Sequence, residues 1–336
     1  FKQKTAYEIS LGLVGSEMCI RDRDMQAVDK LINSYITSNV TPVISELSNH
    51  LINAGGKRLR PLLTLAASDL CNYSGASHIK LAAAIEFIHT ATLLHDDVVD
   101  ESFQRRGKPT ANILWDNQSS VLVGDYLFSK SFQLMVETDS LKVLSILADA
   151  SSTISEGEIL QLSAVRNIKT DESAYFKIIE GKTAALFAAA TEVGAVISNV
   201  ERKKADALAN FGKALGISFQ ITDDLLDYVG SEEVLGKNIG DDFREQKMTL
   251  PLIKAMQSAN QSEQKFLVKC IEKGKQADGD LKNALSIMNK YNSLELTLQQ
   301  ALEWSKKAKS ALNEIPDSIL KTILIDLADY VTRRIN

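Results

Sequence analysis

The sequence predicts an all-α protein folded as one large domain, and three observations carry that expectation. Alanine and leucine recur at helical spacing, only five prolines interrupt the 336 residues, and two aspartate clusters each close a long apolar helical run. No stretch rich in proline, glycine and serine marks a linker. At 45% hydrophobic content the chain can bury a sizeable core. Its net charge of −5 argues against a general nucleic-acid binder and leaves room for local basic patches. Cys19, Cys71 and Cys270 are odd in number and far apart. They give neither a disulfide framework nor a zinc pattern, and they fit a reducing cytoplasm. No apolar run reaches bilayer length; the best candidate, 184–200, is interrupted by Thr191, Glu192 and Ser198 and reads as a buried helix.

Residues 1–24 sit badly with the rest. Phe1 is not a translation start, and the apolar stretch from Leu11 is too short for a signal-peptide core. They are expected to be a disordered extension or an artefact of sequence assembly, with the domain proper spanning 25–336. A helical pattern begins at Asp24, where Val28, Leu31, Ile32, Tyr35 and Ile36 make one apolar stripe. Thr41-Pro42 has the chemistry of a helix start, for a helix reaching about Asn53. Next comes Gly55-Gly-Lys-Arg-Leu-Arg-Pro61. Its glycines let backbone approach a ligand, and Lys57, Arg58 and Arg60 supply donors suited to phosphate. Alone, such a turn is as readily plain solvated surface.

The following helix starts near Ser77 or His78 and is expected to run past Asp100. It ends in Leu93-Leu-His-Asp-Asp-Val-Val-Asp100, so Asp96, Asp97 and Asp100 project from nearly one face. Like charges so placed repel, which calls for a cation, and oxygen-only ligands suit magnesium better than zinc or iron. A solvated helix end is the bland alternative. The spacing recurs at Asp223-Asp-Leu-Leu-Asp227, again after an apolar run. That second copy favours the cation. His89 lies two turns before Asp96, where a lone histidine is more often a core residue than a ligand. Arg105-Arg106-Gly107-Lys108-Pro109 adds a second cationic turn. Carboxylates followed closely by paired arginines suit a polyphosphate bridged by metal and held by guanidinium forks.

Helices are then expected at about 119–137, 140–162, 171–199 and 201–228. Gly181-Lys182-Thr183 falls inside the third and is not a P-loop, since that motif's first glycine and its preceding strand are both missing. Lys182, if buried there, needs an anionic partner, which a bound phosphate would supply. The polar loop 236–251 brings Lys237 and Lys247 within reach of the second aspartates. Amphipathic helices fill the remainder, with Arg333 and Arg334 at the end. Together these features describe a site for diphosphates attached to apolar tails: cations stabilise a departing pyrophosphate while a dry pocket shelters a carbocation.

The same motifs, in this order, are a family resemblance. Gly-Gly-Lys-Arg-Leu-Arg-Pro, Asp-Asp-x-x-Asp, Arg-Arg-Gly, Gly-Lys-Thr, Phe219-Gln-Ile-Thr-Asp-Asp-Leu-Leu-Asp227 and Lys247-Met-Thr-Leu-Pro251 resemble the trans-isoprenyl diphosphate synthases, and among them the long-chain polyprenyl members. The resemblance runs from about Met25 to the C-terminus. It implies an isoprenoid-synthase-type bundle around a central cavity, with about three Mg²⁺ ions held on the allylic diphosphate. Asp96, Asp97, Asp100, Asp223, Asp224 and Asp227 would be the metal-ligand set, although Asp97 and Asp227 need not all touch metal directly. Arg105, Lys182, Gln220 and Lys237, with Lys247 more weakly, would contact the allylic diphosphate. Lys57, Arg60, His89 and Arg106 would hold isopentenyl diphosphate. Lys182, Thr183 and Gln220 would also stabilise the allylic cation or its leaving pyrophosphate. Gln246 departs from the pattern, which usually has glycine there, and so leaves the reach of Lys247 open.

Short-chain members resemble one another in an aromatic residue four or five positions before the first aspartate; here those positions are Thr92 and Ala91. From Asp96 back to Ile79 the helix extends roughly 26 Å. At about 5 Å per extended prenyl unit, some five added units fit beside it. Phe128, Phe132 and Met135 share a helical face and could form the floor, though core packing explains them equally well. The implied activity is head-to-tail condensation of isopentenyl diphosphate onto an allylic starter such as farnesyl diphosphate, by a cytoplasmic homodimer supplying a quinone side chain. Alternatives are a shorter-chain synthase (C20–C25), a class I terpene cyclase, which gives no reason for the first basic turn, and a non-catalytic subunit, which should have eroded motifs.

Overall fold

The computed structural model describes residues 16–38, 40–52, 56–105, 107–230 and 239–334, with side chains from Arg23 onward. The protein is all-α. In chain order its described helices are α1 (Ser16–Ile36), α2 (Pro42–Ile52), α3 (Leu59–Leu70), α4 (Ser77–Val99), α5 (Ala111–Leu114), α6 (Asn117–Val136), α7 (Leu141–Ala164), α8 (Glu172–Ile179), α9 (Ala185–Ile197), α10 (Arg202–Val229), α11 (Asp241–Arg244), α12 (Leu250–Ser258), α13 (Gln261–Ile271), α14 (Asp280–Lys290), α15 (Ser293–Ala311) and α16 (Ile319–Arg333). A two-residue hairpin, β1 (Gln104–Arg105) with β2 (Lys108–Pro109), follows α4 and turns at Gly107, whose φ is +73°. By internal packing the chain forms two compact units, Phe1–Ser151 with Leu186–Ala209, and Ser152–Ala185 with Asn210–Asn336.

In the first unit α4 is buried on nearly every face. Leu81, Ile85, Phe87 and Ile88 lie in the core, and α4 packs against α1, α3 and α6. A helix apolar all round is what a central position demands. Phe187 joins this core from α9, and Gly194 lets α9 lie against the α3 backbone: a Cβ at residue 194 would fall 2.7 Å from the Thr64 carbonyl. In the second unit the core gathers Tyr175, Ile217, Ile221, Tyr228, Phe243, Leu250, Leu267 and Met288. Side-chain caps fix several starts: Asp116 accepts from Ser119 N at 2.6 Å, Asp171 from Ala174 N at 2.8 Å, and Asn260 with Glu263 forms a capping box.

Some boundaries differ from the sequence pattern. Helix α1 begins at Ser16, ahead of Asp24. Helix α4 stops at Val99 instead of passing Asp100, because the Asp100 N–H closes the last turn on the Asp96 carbonyl at 2.8 Å and Glu101 turns left-handed, with φ +51°. The expected helix over 171–199 contains a π turn at Glu180–Ala184. Among the described residues no helix is long and apolar enough to cross a membrane.

Candidate active site

The cationic turn precedes α3, and its three cations do different things. Arg58 takes φ +48° and sends its guanidinium to Glu86 on α4, at 2.5 Å. Arg60, on the first turn of α3, meets His89 Nε2 at 3.1 Å and stacks over the Phe187 ring at 4.5 Å. Arginine has only donors, so the His89 nitrogen accepts. His89 Nε2 thus orients the Arg60 guanidinium. Lys57 is half-buried beside Arg58. Gly55 and Arg106 lie outside the described residues.

The first aspartate triad closes α4. A helix C-terminus carries partial negative charge, so three carboxylates there repel each other and the helix end as well. Asp97 is fully buried, with Arg105 of the hairpin bringing Nε and Nη2 to its Oδ1 at 2.9 and 2.8 Å. Its Oδ2 is buried with no hydrogen-bond partner. Asp96 and Asp100 are half-buried one turn apart on the same side. One turn back, Ala91 is buried and Thr92 turns its hydroxyl to the His89 carbonyl at 2.8 Å. On α6, Phe128 and Phe132 pack edge to face at 5.1 Å, with Phe132 38% exposed while Met135 is buried.

The second triad closes α10, and a hydrogen-bonded chain leads into it. Thr183 Oγ1 donates to Gln220 Oε1 at 2.7 Å, Gln220 Nε2 donates to Asp224 Oδ1 at 2.8 Å, and the buried Tyr175 hydroxyl donates to Asp224 Oδ2 at 2.6 Å. Burial pushes the Asp224 carboxyl up to about 6 against the pull of these donors, with Asp223 and Asp227 adding to the rise. Burial likewise raises Tyr175 far above its ordinary range, which keeps it a donor. Asp223 pairs with Arg334 at 2.8 Å. Asp227 holds backbone: its carbonyl accepts from Gly240 N at 2.7 Å and its Oδ2 from Asp242 N at 3.0 Å, pinning the start of α11.

Lys182 and Thr183 sit on the π turn, where α7 passes with its backbone in contact. A Cβ at Gly181 would meet the Gly157 Cα and the Thr153 carbonyl at 2.9 Å, and one at Gly157 would meet Lys182 N at 2.5 Å. π turns insert one residue and recur at functional sites. Lys182 is half-buried and pairs with Glu158 at 2.9 Å. Gln246 adopts φ +59°, the conformation that favours glycine, and is held by Arg166: Nε donates to its side-chain oxygen at 2.6 Å and the backbone N–H to its carbonyl at 3.1 Å. Lys247 meets Glu245 at 2.8 Å. Lys237 lies outside the described residues.

Sequence reasoning missed Glu158, Tyr175 and Glu86 altogether and gave Arg334 no role. The one available signal was a charge or hydroxyl at a helix position otherwise facing the core. Among the described residues no three carboxylate, imidazole or thiol groups stand together as a ready-made ion cage. The donor set still fits a hard divalent cation, since both triads offer only oxygen and Asp97 Oδ2 is buried and unsatisfied. Oxygens of a bound diphosphate would have to complete the coordination.

Comparison with known proteins agrees with this chemistry. The octaprenyl diphosphate synthase of Haemophilus influenzae is 41% identical over 92% of this chain and 93% of its own. A decaprenyl diphosphate synthase structure from Rhodobacter capsulatus superposes with a TM-score of 0.91 at 56% identity, covering 94% of this chain and 97% of that one. A Caulobacter crescentus polyprenyl synthase structure, complexed with calcium and isoprenyl diphosphate, gives 0.90 at 47% identity over 93% and 95%. The Polyprenyl synthetase family matches residues 41–288. With three-quarters of its length inside that match and relatives similar over more than nine-tenths of it, the chain belongs to the polyprenyl synthetase family and is a prenyltransferase.

Proposed function

We propose that this enzyme is a long-chain, Mg²⁺-dependent trans-polyprenyl diphosphate synthase, with residues 25–336 as its one synthase domain. It extends an allylic starter such as farnesyl diphosphate with isopentenyl diphosphate. The observation that carries the reading is the chain Thr183–Gln220–Asp224–Tyr175, which ties a π-turn donor to the second aspartate triad. The calcium and isoprenyl diphosphate named with the Caulobacter structure support a divalent ion and a diphosphate for this chain too.

Asp96, Asp100, Asp223 and Asp224 would hold the ions, with Asp97 and Asp227 kept in place by Arg105 and the α11 backbone. Bound Mg²⁺ supplies positive charge to the departing pyrophosphate. Lys182, Arg105 and Lys237 orient the allylic diphosphate, and Lys247 lies at the edge of this set. For Lys182 this means exchanging Glu158 for a phosphate oxygen. Thr183 and Gln220 present oxygen dipoles towards the allylic cation. Lys57, Arg60, His89 and Arg106 hold isopentenyl diphosphate, whose terminal alkene carbon attacks the cation. The proton then lost goes to the released pyrophosphate, so no side chain acts as nucleophile.

Small residues at Ala91 and Thr92 leave the path beside α4 open. Phe128 and Phe132 would close its far end, and a floor must be enclosed. The exposed Leu122, Phe132 and Val136 along α6 form an apolar face suited to a second copy, which supports a homodimer. The buried free thiols Cys71 and Cys270 fit a reducing cytoplasm, and a long product suits a respiratory quinone side chain. Purified enzyme given Mg²⁺, farnesyl diphosphate and isopentenyl diphosphate should yield products longer than C20 by chromatography. A C15 or C20 limit refutes the long-chain reading. Ala91→Phe should shorten the product while sparing the first condensation; unchanged length would mean that the tail does not pass Ala91.

A further inference from the structure

We propose that Glu86 is the positioning residue of the cationic turn, fixing through Arg58 the backbone from which Lys57 and Arg60 project. Arg58 stands between those two residues with φ +48°, a left-handed conformation that an arginine rarely takes. Asparagine or aspartate can support such a conformation with a local side-chain bond; Arg58 has no such means, and it caps α3 without a side-chain bond of its own. What holds it is tertiary: Nη1 on Glu86 Oε1 at 2.5 Å and Nη2 on the Ile52 carbonyl at 3.4 Å. The pair is enclosed, with side-chain exposures of 19% for Arg58 and 11% for Glu86. A charge-assisted bond so shielded is strong enough to offset the strain.

Its position points the same way. Glu86 and His89 are three residues apart on α4, so one helix face receives both Arg58 and Arg60. Asp29 of α1 is the third charge near the pair; burial raises its carboxyl, Arg58 opposes the rise and Glu86 adds to it. Arg58 is thus committed inward, and Glu86 decides how firmly the turn holds its two neighbours.

The inference rests on the reading that Lys57 and Arg60 hold isopentenyl diphosphate, so the test separates the two. In Glu86→Gln the KM for isopentenyl diphosphate should rise about tenfold, the KM for farnesyl diphosphate should stay within about threefold, and amide exchange across 56–62 should quicken. Arg58→Gly/Glu86→Gln should return the isopentenyl diphosphate KM to the level of Arg58→Gly alone, because glycine adopts φ +48° unaided. Equal changes in both KM values, or no rescue in the double variant, overturn the positioning role. Wild-type enzyme that forms no prenyl product overturns the reading of the site; quickened exchange in Glu86→Gln would then still support the hold on the turn.

Discussion

The two aspartate triads share a spacing and a place at the end of a helix, yet they are held in opposite ways. Asp97 is neutralised by a cation, with two donors of Arg105 on one oxygen. Asp224 is held by neutral donors, Tyr175 and Gln220, and its charge is left to its surroundings, which raise its carboxyl to about 6. A motif therefore fixes where carboxylates stand without fixing how much charge they carry. The first triad keeps part of its compensation permanently. The second places its cation, Arg334, on Asp223 and leaves Asp224 to neutral donors.

The comparison can be broken at several points. Asp96→Ala and Asp224→Ala should each lower kcat by about a thousandfold or more, since both remove oxygen from the charge-stabilising set; a tenfold difference between them in steady-state assays would show that one triad dominates. Stability should separate them in the other direction. Asp97→Asn strips Arg105 of its counter-charge and should cost about 2 kcal/mol in urea unfolding, after allowance for partial exposure of the arginine. Metal-free Asp224→Asn should be neutral or stabilising, because burial already penalises the charge it removes. Tyr175→Phe leaves Asp224 one donor short and should cost about 1 kcal/mol.

The smallest effect is in pH. The folded value for Asp224 lies above the ordinary carboxylate range, so the native state holds that proton more tightly than the unfolded chain. Its contribution to stability is complete below about pH 4 and is lost as pH rises through about 6. In chelator, wild-type stability should therefore carry a downward slope over that interval which Asp224→Asn lacks. Equal slopes in both proteins would remove Asp224 as its origin.

Most helices and both triads were readable because each is a local matter of periodicity and chemistry. Partnerships were not. Nothing near Lys182 in sequence points to Glu158, since the two meet only because Gly157 and Gly181 let backbones touch. Arg334 looked like a helix end and proves to be the counter-ion of Asp223. Gln246 shows the converse: its departure from glycine was visible in the sequence, while the Arg166 bonds that support it are tertiary.

The π turn at Glu180–Ala184 has one more consequence. An inserted residue rotates everything beyond it by about 100° about the helix axis. Tyr175 and Ile179 before it pack into the core of the second unit, while Leu186 and Phe187 after it are buried in the first. The turn thus acts as a phase shifter, setting which side chains of the run beyond it are buried. Deleting a single residue there would rotate Leu186 and Phe187 by about 100° away from the core they now fill.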